Sequence, residues 1–175
     1  PVDIRYEDED LLVVNKEAGV PVHPTRGSGE QTLANFLAGY YERRGETFTS
    51  RIINRLDKNT SGLVLLAKNA LSGGLLVEQT KRREIKKTYY AAVKGTFSQT
   101  EGMIDGPIAR RGDSILGRMV TPEGQPAVTQ YWVLLQEEEK DRSLVRVRTL
   151  TGRTHQIRVH FSHIGHPLLG DFLYG

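Results

Sequence analysis

The sequence predicts an α+β fold, with a mixed, largely antiparallel central sheet flanked by helices and loops. Three observations carry that expectation. Short apolar runs bounded by turn residues recur along the chain, as strands do. Only a few segments repeat with the period of an amphipathic helix. The second half is mostly strand-like, and Leu144 to Thr149 alternates apolar and basic residues as a half-buried strand does.

In chain order, Leu11 to Asn15 reads as a strand. Leu33, Phe36, Leu37, Tyr40 and Tyr41 fall at i, i+3, i+4, i+7 and i+8, a helical stripe that Gly45 ends. Ile52-Ile53 and Leu63 to Ala67 read as strands. A helix from Asn69 to about Arg83 begins on an Asn cap and carries Leu71, Leu75 and Leu76, although Gly73-Gly74 weakens it. Thr88 to Lys94 is a strand. Leu116 to Val120 and Ala127 to Leu135 flank Thr121-Pro-Glu-Gly124, a turn sequence expected to close a hairpin between them. In the last helix Thr154 is the expected N-cap, Ile157, Phe161 and Ile164 face inward, and Gly165 with Pro167 ends the run. Arg158 then shares its side with His155 and Ser162.

A chain of 175 residues is one domain or at most two, and residues 1–175 are read as one. Its 38% hydrophobic and 26% charged residues are those of a soluble globular protein, and no apolar stretch is long enough to span a membrane. With no cysteine, disulfides and thiolate metal sites are excluded, and a reducing, cytoplasmic setting fits. The net charge of +3 is too small to demand nucleic acid, so its distribution matters more. Lys81, Arg82, Arg83, Lys86 and Lys87 crowd one short segment, while acids gather at Glu7 to Asp10 and Glu137 to Glu139. Such a run is most often a solvated face, but this one adjoins Tyr89 and reads as a phosphate-contacting rim. His155, His160, His163 and His166 lack the i, i+4 pairing of a helical metal site, so no metal is expected.

Asp57 follows Arg55-Leu56 and opens a turn-rich run to Gly62, directly before the apolar run Leu63 to Ala67. Alone, an Asp in such a run is most often a solvated turn former. Its context argues otherwise. Arg55-Leu56-Asp57 with Thr60-Ser61-Gly62 resembles the signature loop of the pseudouridine synthases of the RluA type, which modify bacterial ribosomal and transfer RNA. Leu11-Leu-Val-Val-Asn-Lys-Glu-Ala-Gly19, ending at Val22-His-Pro24, is similar to that family's first motif. Lys86-Lys-Thr-Tyr89-Tyr-Ala-Ala-Val-Lys-Gly95 resembles its tyrosine-bearing strand. Thr151-Gly-Arg-Thr-His-Gln-Ile-Arg158-Val-His160, with Gly165-His-Pro167 and Gly170-Asp171, resembles its arginine motif. Asn54 stands where the family usually has His, and Glu17 where it usually has Pro. The sequence ends at Tyr174-Gly175, where family members normally continue, and the small RNA-binding module that many members carry before the catalytic domain is not visible in it. On this reading the sequence is a catalytic core.

The resemblance implies the pseudouridine synthase fold and an isomerase that converts uridine in structured RNA, ribosomal or transfer, to pseudouridine. It implies no cofactor, since the reaction is a net isomerisation, and a monomer acting on an RNA stem-loop. Asp57 is the implied catalytic carboxylate, nucleophile or base, with Arg158 its charge-assisted partner. Tyr89 is implied to stack on the base, and Arg55 to fill the gap left by the extruded nucleotide. Arg153 and His155 of the arginine motif join the basic cluster as RNA contacts, and Lys16 and His23 are candidate rim contacts. Two alternatives stand beside this. One is a catalytically silent RNA-binding or ribosome-assembly module; the other is an N-glycoside hydrolase, which would usually need a second acid to activate water.

Overall fold

The computed structural model describes residues 2–24, 31–47, 49, 51–112 and 114–175. The chain divides into two compact units, Pro1–Glu84 and Ile85–Gly175.

In the first unit four strands form one antiparallel sheet. They are β1 (Asp3–Glu7), β2 (Leu11–Lys16), β3 (Arg51–Ile52) and β4 (Gly62–Ala67), in the order β1-β2-β4-β3. The pairing sets Leu12 opposite Leu66 and Val14 opposite Val64. All four side chains are fully buried. Helix α1 (Leu33–Glu42) closes over them with Leu33, Leu37 and Tyr41, three members of the predicted stripe, while Phe36 stays largely exposed. Thr32 caps this helix, its side chain accepting from the Asn35 N–H. Helix α2 (Ala70–Lys81) starts on the expected Asn69 cap. Of its apolar residues Leu76 is buried, but Leu71 and Leu75 are exposed. Gly73 earns its place by contact: a Cβ there would lie 3.2 Å from the Arg51 side chain and 3.6 Å from the Ala67 Cβ.

The second unit holds the sheet β5-β10-β9-β6, built from β5 (Lys87–Lys94), β6 (Glu101–Asp105), β9 (Val128–Glu137) and β10 (Arg142–Thr149). Every pairing among the described strands is antiparallel. Helix α3 (Gln156–His163) lies on one face, where Phe161 packs among Val93, Val145 and Val147. Burying a ring of that size contributes about 1.5–3 kcal/mol.

The expected hairpin across Thr121–Gly124 is corrected by the structure. The turn itself forms, with the Gly124 N–H donating to Thr121 at 2.9 Å. Its flanking strands part, however: β8 (Arg118–Val120) pairs with β7 (Ile108–Arg110), whereas β9 joins the main sheet. Gly124 explains the divergence, because a Cβ there would sit 2.6 Å from the Ile108 backbone. The bare glycine lets the turn press onto β7, and Gln125 and Ile108 exchange two hydrogen bonds of 2.9 Å. Thr154 likewise is not the cap of α3. His155 takes that position in the left-handed region, at φ 57°, with no side-chain cap bond.

Candidate active site

In the first unit, Asp57 sits half-buried in the turn that leads from β3 to β4. The Thr60 N–H donates to its carbonyl at 3.0 Å, closing the turn, and Leu56 packs against the core beneath. Two side chains fix this loop. Asn54 continues the strand ladder: its Nδ2 donates to the Leu63 carbonyl at 3.1 Å, and its Oδ1 accepts the Leu65 N–H at 2.8 Å. Lys16 is more unusual, being only 1% exposed. Its Nζ donates to the carbonyls of Glu17 at 2.8 Å, Val20 at 2.7 Å and Lys58 at 3.0 Å, matching three donors with three acceptors. Burial lowers its pKa, and the negative charge of Asp57 opposes that shift. Lys16 therefore ties the end of β2 to the residue after Asp57. It is not the rim contact expected from sequence. His23 and Arg55 are exposed.

In the second unit, Tyr89 is half-buried against the core cluster around Val93 and Phe161, and lies opposite Val147 across β10. Tyr90 points to the other face and is 69% exposed, as the strand period requires. Arg158 projects from α3 into a fork with Asp171, Nε to Oδ2 at 2.6 Å and Nη2 to Oδ1 at 2.9 Å. Burial acts to raise the Asp171 pKa, but the Arg158 bonds and the N–H groups of Leu173 and Tyr174 outweigh it and hold the carboxyl below its usual value. The guanidinium carbon also lies 5.0 Å over the Tyr174 ring. The predicted shared side of α3 is real, since all three of its residues meet Tyr174. The His155 Nδ1 bonds the Tyr174 hydroxyl at 2.7 Å, and the Ser162 Oγ donates to the Tyr174 carbonyl at 2.8 Å.

The loop before α3 is pinned by Gln156, which is buried. Its Nε2 donates to the Val128 carbonyl and the Thr129 Oγ1, each at 3.0 Å, and its Oε1 accepts from the Arg153 N–H at 3.0 Å. His160 is an ordinary core histidine. Its ring nitrogens bond the Gly106 carbonyl and the Thr129 hydroxyl, each at 2.8 Å, and burial lowers its pKa. Among the described residues no group of His, Asp or Glu side chains is placed to hold a metal. No helix among them is long and apolar enough to cross a membrane.

The sequence profile of the RNA pseudouridylate synthases matches residues 10–163, which takes in the Asp57 loop, Tyr89 and Arg158. The chain belongs to that family. An uncharacterized RNA pseudouridine synthase of Bacillus subtilis is 44% identical over all of this chain, which spans 61% of that relative. The ribosomal large subunit pseudouridine synthase D of Yersinia pestis is 43% identical over the same 175 residues, 53% of its own length. The structure of human RNA pseudouridylate synthase domain containing 1 superposes with a TM-score of 0.82 at 30% identity, covering all of this chain and 70% of that one. The chain thus spans between about half and two-thirds of the two bacterial relatives, and 70% of the human structure.

In sequence, the basic cluster runs from the last residues of the first unit into the first residues of the second. Lys81 is paired with Glu78 at 2.6 Å, Arg82 and Arg83 are exposed past the end of α2, and Lys86 and Lys87 lead into β5. Arg153 is half-buried, with its Nε donating to the Pro126 carbonyl at 2.9 Å. The positioning roles of five residues were not foreseen from sequence: Lys16, expected at the rim, Asn54, noted only as a departure from the family pattern, and Gln156, Asp171 and Tyr174. Position inside the motifs was the one available signal, for Lys16, Gln156 and Asp171 all fall within them.

Proposed function

We propose that this chain is a catalytic core that converts uridine in structured RNA to pseudouridine, with Asp57 as the reacting carboxylate. The observation that carries the proposal is the Asp57 loop, held by a buried lysine and a strand-mimicking asparagine inside a family match that spans most of the chain. The bond from C1′ to N1 of uracil breaks and one from C1′ to C5 forms, while the C5 proton is lost and N1 regains one. Atoms balance without any redox cofactor. Asp57 acts as nucleophile or as base, and Arg158 is the cation of the reaction centre. Tyr89 stacks on the detached uracil, and Arg55 fills the space of the extruded nucleotide.

Ribosomal RNA is the favoured substrate, because relatives named for the ribosomal large subunit match the whole chain. A transfer RNA stem-loop is the runner-up. The chain acts as a single domain and a monomer in the cytoplasm, contacting RNA phosphates through Lys81, Arg82, Arg83, Lys86 and Lys87, with Arg153 and His155 beside them.

The test is incubation with ribosomal and transfer RNA, followed by mass analysis and pseudouridine mapping. Conversion at unchanged RNA mass, insensitive to chelator, is expected. Asp57→Asn should reduce single-turnover conversion by several orders of magnitude, and a residual rate within about tenfold of wild type, roughly 1.4 kcal/mol, defeats the assignment. Loss of uracil would mean a hydrolase; binding without conversion would mean a silent module.

A further inference from the structure

We propose that a cleft walled by Arg110, Arg118 and Arg153 seats one phosphodiester of the substrate RNA backbone. The inference rests on the reading above that RNA is the substrate.

The hairpin β7–β8, the Gly124-Gln125 turn and the loop before α3 enclose a cleft of about 320 Å³, roomier than a bare phosphate needs. Its three guanidiniums come from three separate segments of chain, so the fold and not a run of sequence gathers them. None of the three is ion-paired among the described residues. Two are braced by main chain: the Arg118 Nη1 donates to the carbonyls of Leu116 at 3.1 Å and Gly117 at 3.0 Å, and the Arg153 Nε to that of Pro126. Bracing one edge of a planar guanidinium leaves other N–H groups for a ligand. Glu123, the one carboxylate in the lining among the described residues, is bonded by the Thr121 hydroxyl and makes no ion pair with the three arginines there. A concave site with three partly pre-ordered forks, none of them ion-paired among the described residues, is complementary to a phosphate ester.

The cleft is also coupled to the proposed reaction centre. The backbone N–H of Arg118 donates at 2.9 Å to the hydroxyl of Tyr174, the ring over which Arg158 lies. A phosphate held there would fix the strand relative to Arg158, which is the registration that a single-uridine isomerase requires.

The test uses the full chain and a fluorescent stem-loop containing a convertible uridine, titrated between 50 and about 300 mM monovalent salt, a range over which phosphate contacts dominate the salt response. One neutralised phosphate contact flattens the plot of log K against log salt by about 0.7–0.9, equivalent to about five- to eightfold weaker binding at 0.1 M. Arg110→Gln/Arg118→Gln should show that change, and Lys140→Gln, a surface control paired with Glu137, should not. Arg110→Gln alone, at an exposed position with no side-chain hydrogen bond among the described residues, should move both readings the same way and cannot be dismissed as misfolding. A scan of neutral methylphosphonates through the RNA should find one position whose cost in wild type disappears in the double variant. The proposal fails if no position is coupled. It fails equally if inorganic phosphate or uridine monophosphate binds the cleft while RNA affinity ignores these substitutions, for the site then serves free phosphate. Coupling without any uridine conversion would refute the isomerase reading and leave the cleft standing; conversion without coupling would do the reverse.

Discussion

The loop of Asp57 is fixed through main-chain oxygens, whereas the helix of Arg158 is fixed through side chains. Around Asp57, one buried ammonium meets the carbonyls of Glu17, Val20 and Lys58. Around Arg158, Asp171 supplies two oxygens, Tyr174 a ring face, and Gln156 a tether to β9. Carbonyls are present whatever residues occupy 17, 20 and 58, so that anchor rests chiefly on Lys16, with the Gly19 N–H on the Lys58 carbonyl and the two Asn54 bonds beside it. The second anchor is shared among several side chains and should weaken stepwise. One region is therefore brittle at a single position, the other graded.

The largest effect should come from Lys16→Met, which keeps the length and apolar stem but removes the ammonium that three part-buried carbonyls share, leaving that of Lys58 with the Gly19 N–H. A loss of roughly 2–4 kcal/mol in urea unfolding is expected, with a matching fall in conversion. A loss below about 1 kcal/mol would show that something else can hold these carbonyls, and the brittle side of the comparison would collapse.

Asp171→Asn should cost less, about 1–3 kcal/mol, because the amide still offers one acceptor to Arg158 while Tyr174 and the helix remain. The pH dependence sharpens the point. The folded pKa of Asp171 is depressed, so its stabilisation is present above the ordinary carboxylate value and is lost as pH falls through the folded one. The stability gap between wild type and variant should accordingly be widest near neutrality and close below about pH 4. A gap that stays constant through acid would show that the charge on Asp171 contributes nothing.

Asn54→Ala should be the mildest, about 1 kcal/mol, since it removes two bonds at the edge of a ladder that still has Ile53 paired to Leu65. Hydrogen exchange at the Leu65 amide is the direct measure. Unchanged protection there would mean that the strand edge does not need the asparagine.

What could be read beforehand follows the reach of each interaction. Helix α1 was legible because Leu33, Leu37 and Tyr41 repeat locally and need no knowledge of what they pack on. The side of α3 bearing His155, Arg158 and Ser162 was legible for the same reason, although Tyr174, which all three touch, was not. Thr121–Gly124 was recognised as a turn, but turn chemistry does not name the strand's partner, and Gly124 directs the chain onto β7. Lys16 was misplaced because lysine is ordinarily exposed, and only the convergence of carbonyls from two separate segments explains its burial. Asp171 stands 13 residues from Arg158, a separation no helical or strand period spans.

Enclosure of the Lys16 ammonium also changes what that amine can react with. An acylating reagent needs a deprotonated, reachable nitrogen, and this one is encircled by its own main-chain acceptors. Surface lysines such as Lys140 will be modified at once, but Lys16 only during the moments when the turn behind Asp57 has come away from β2. Its rate of acylation is thus a built-in clock for the opening of the Asp57 loop, readable by peptide mass without adding any label to the site itself.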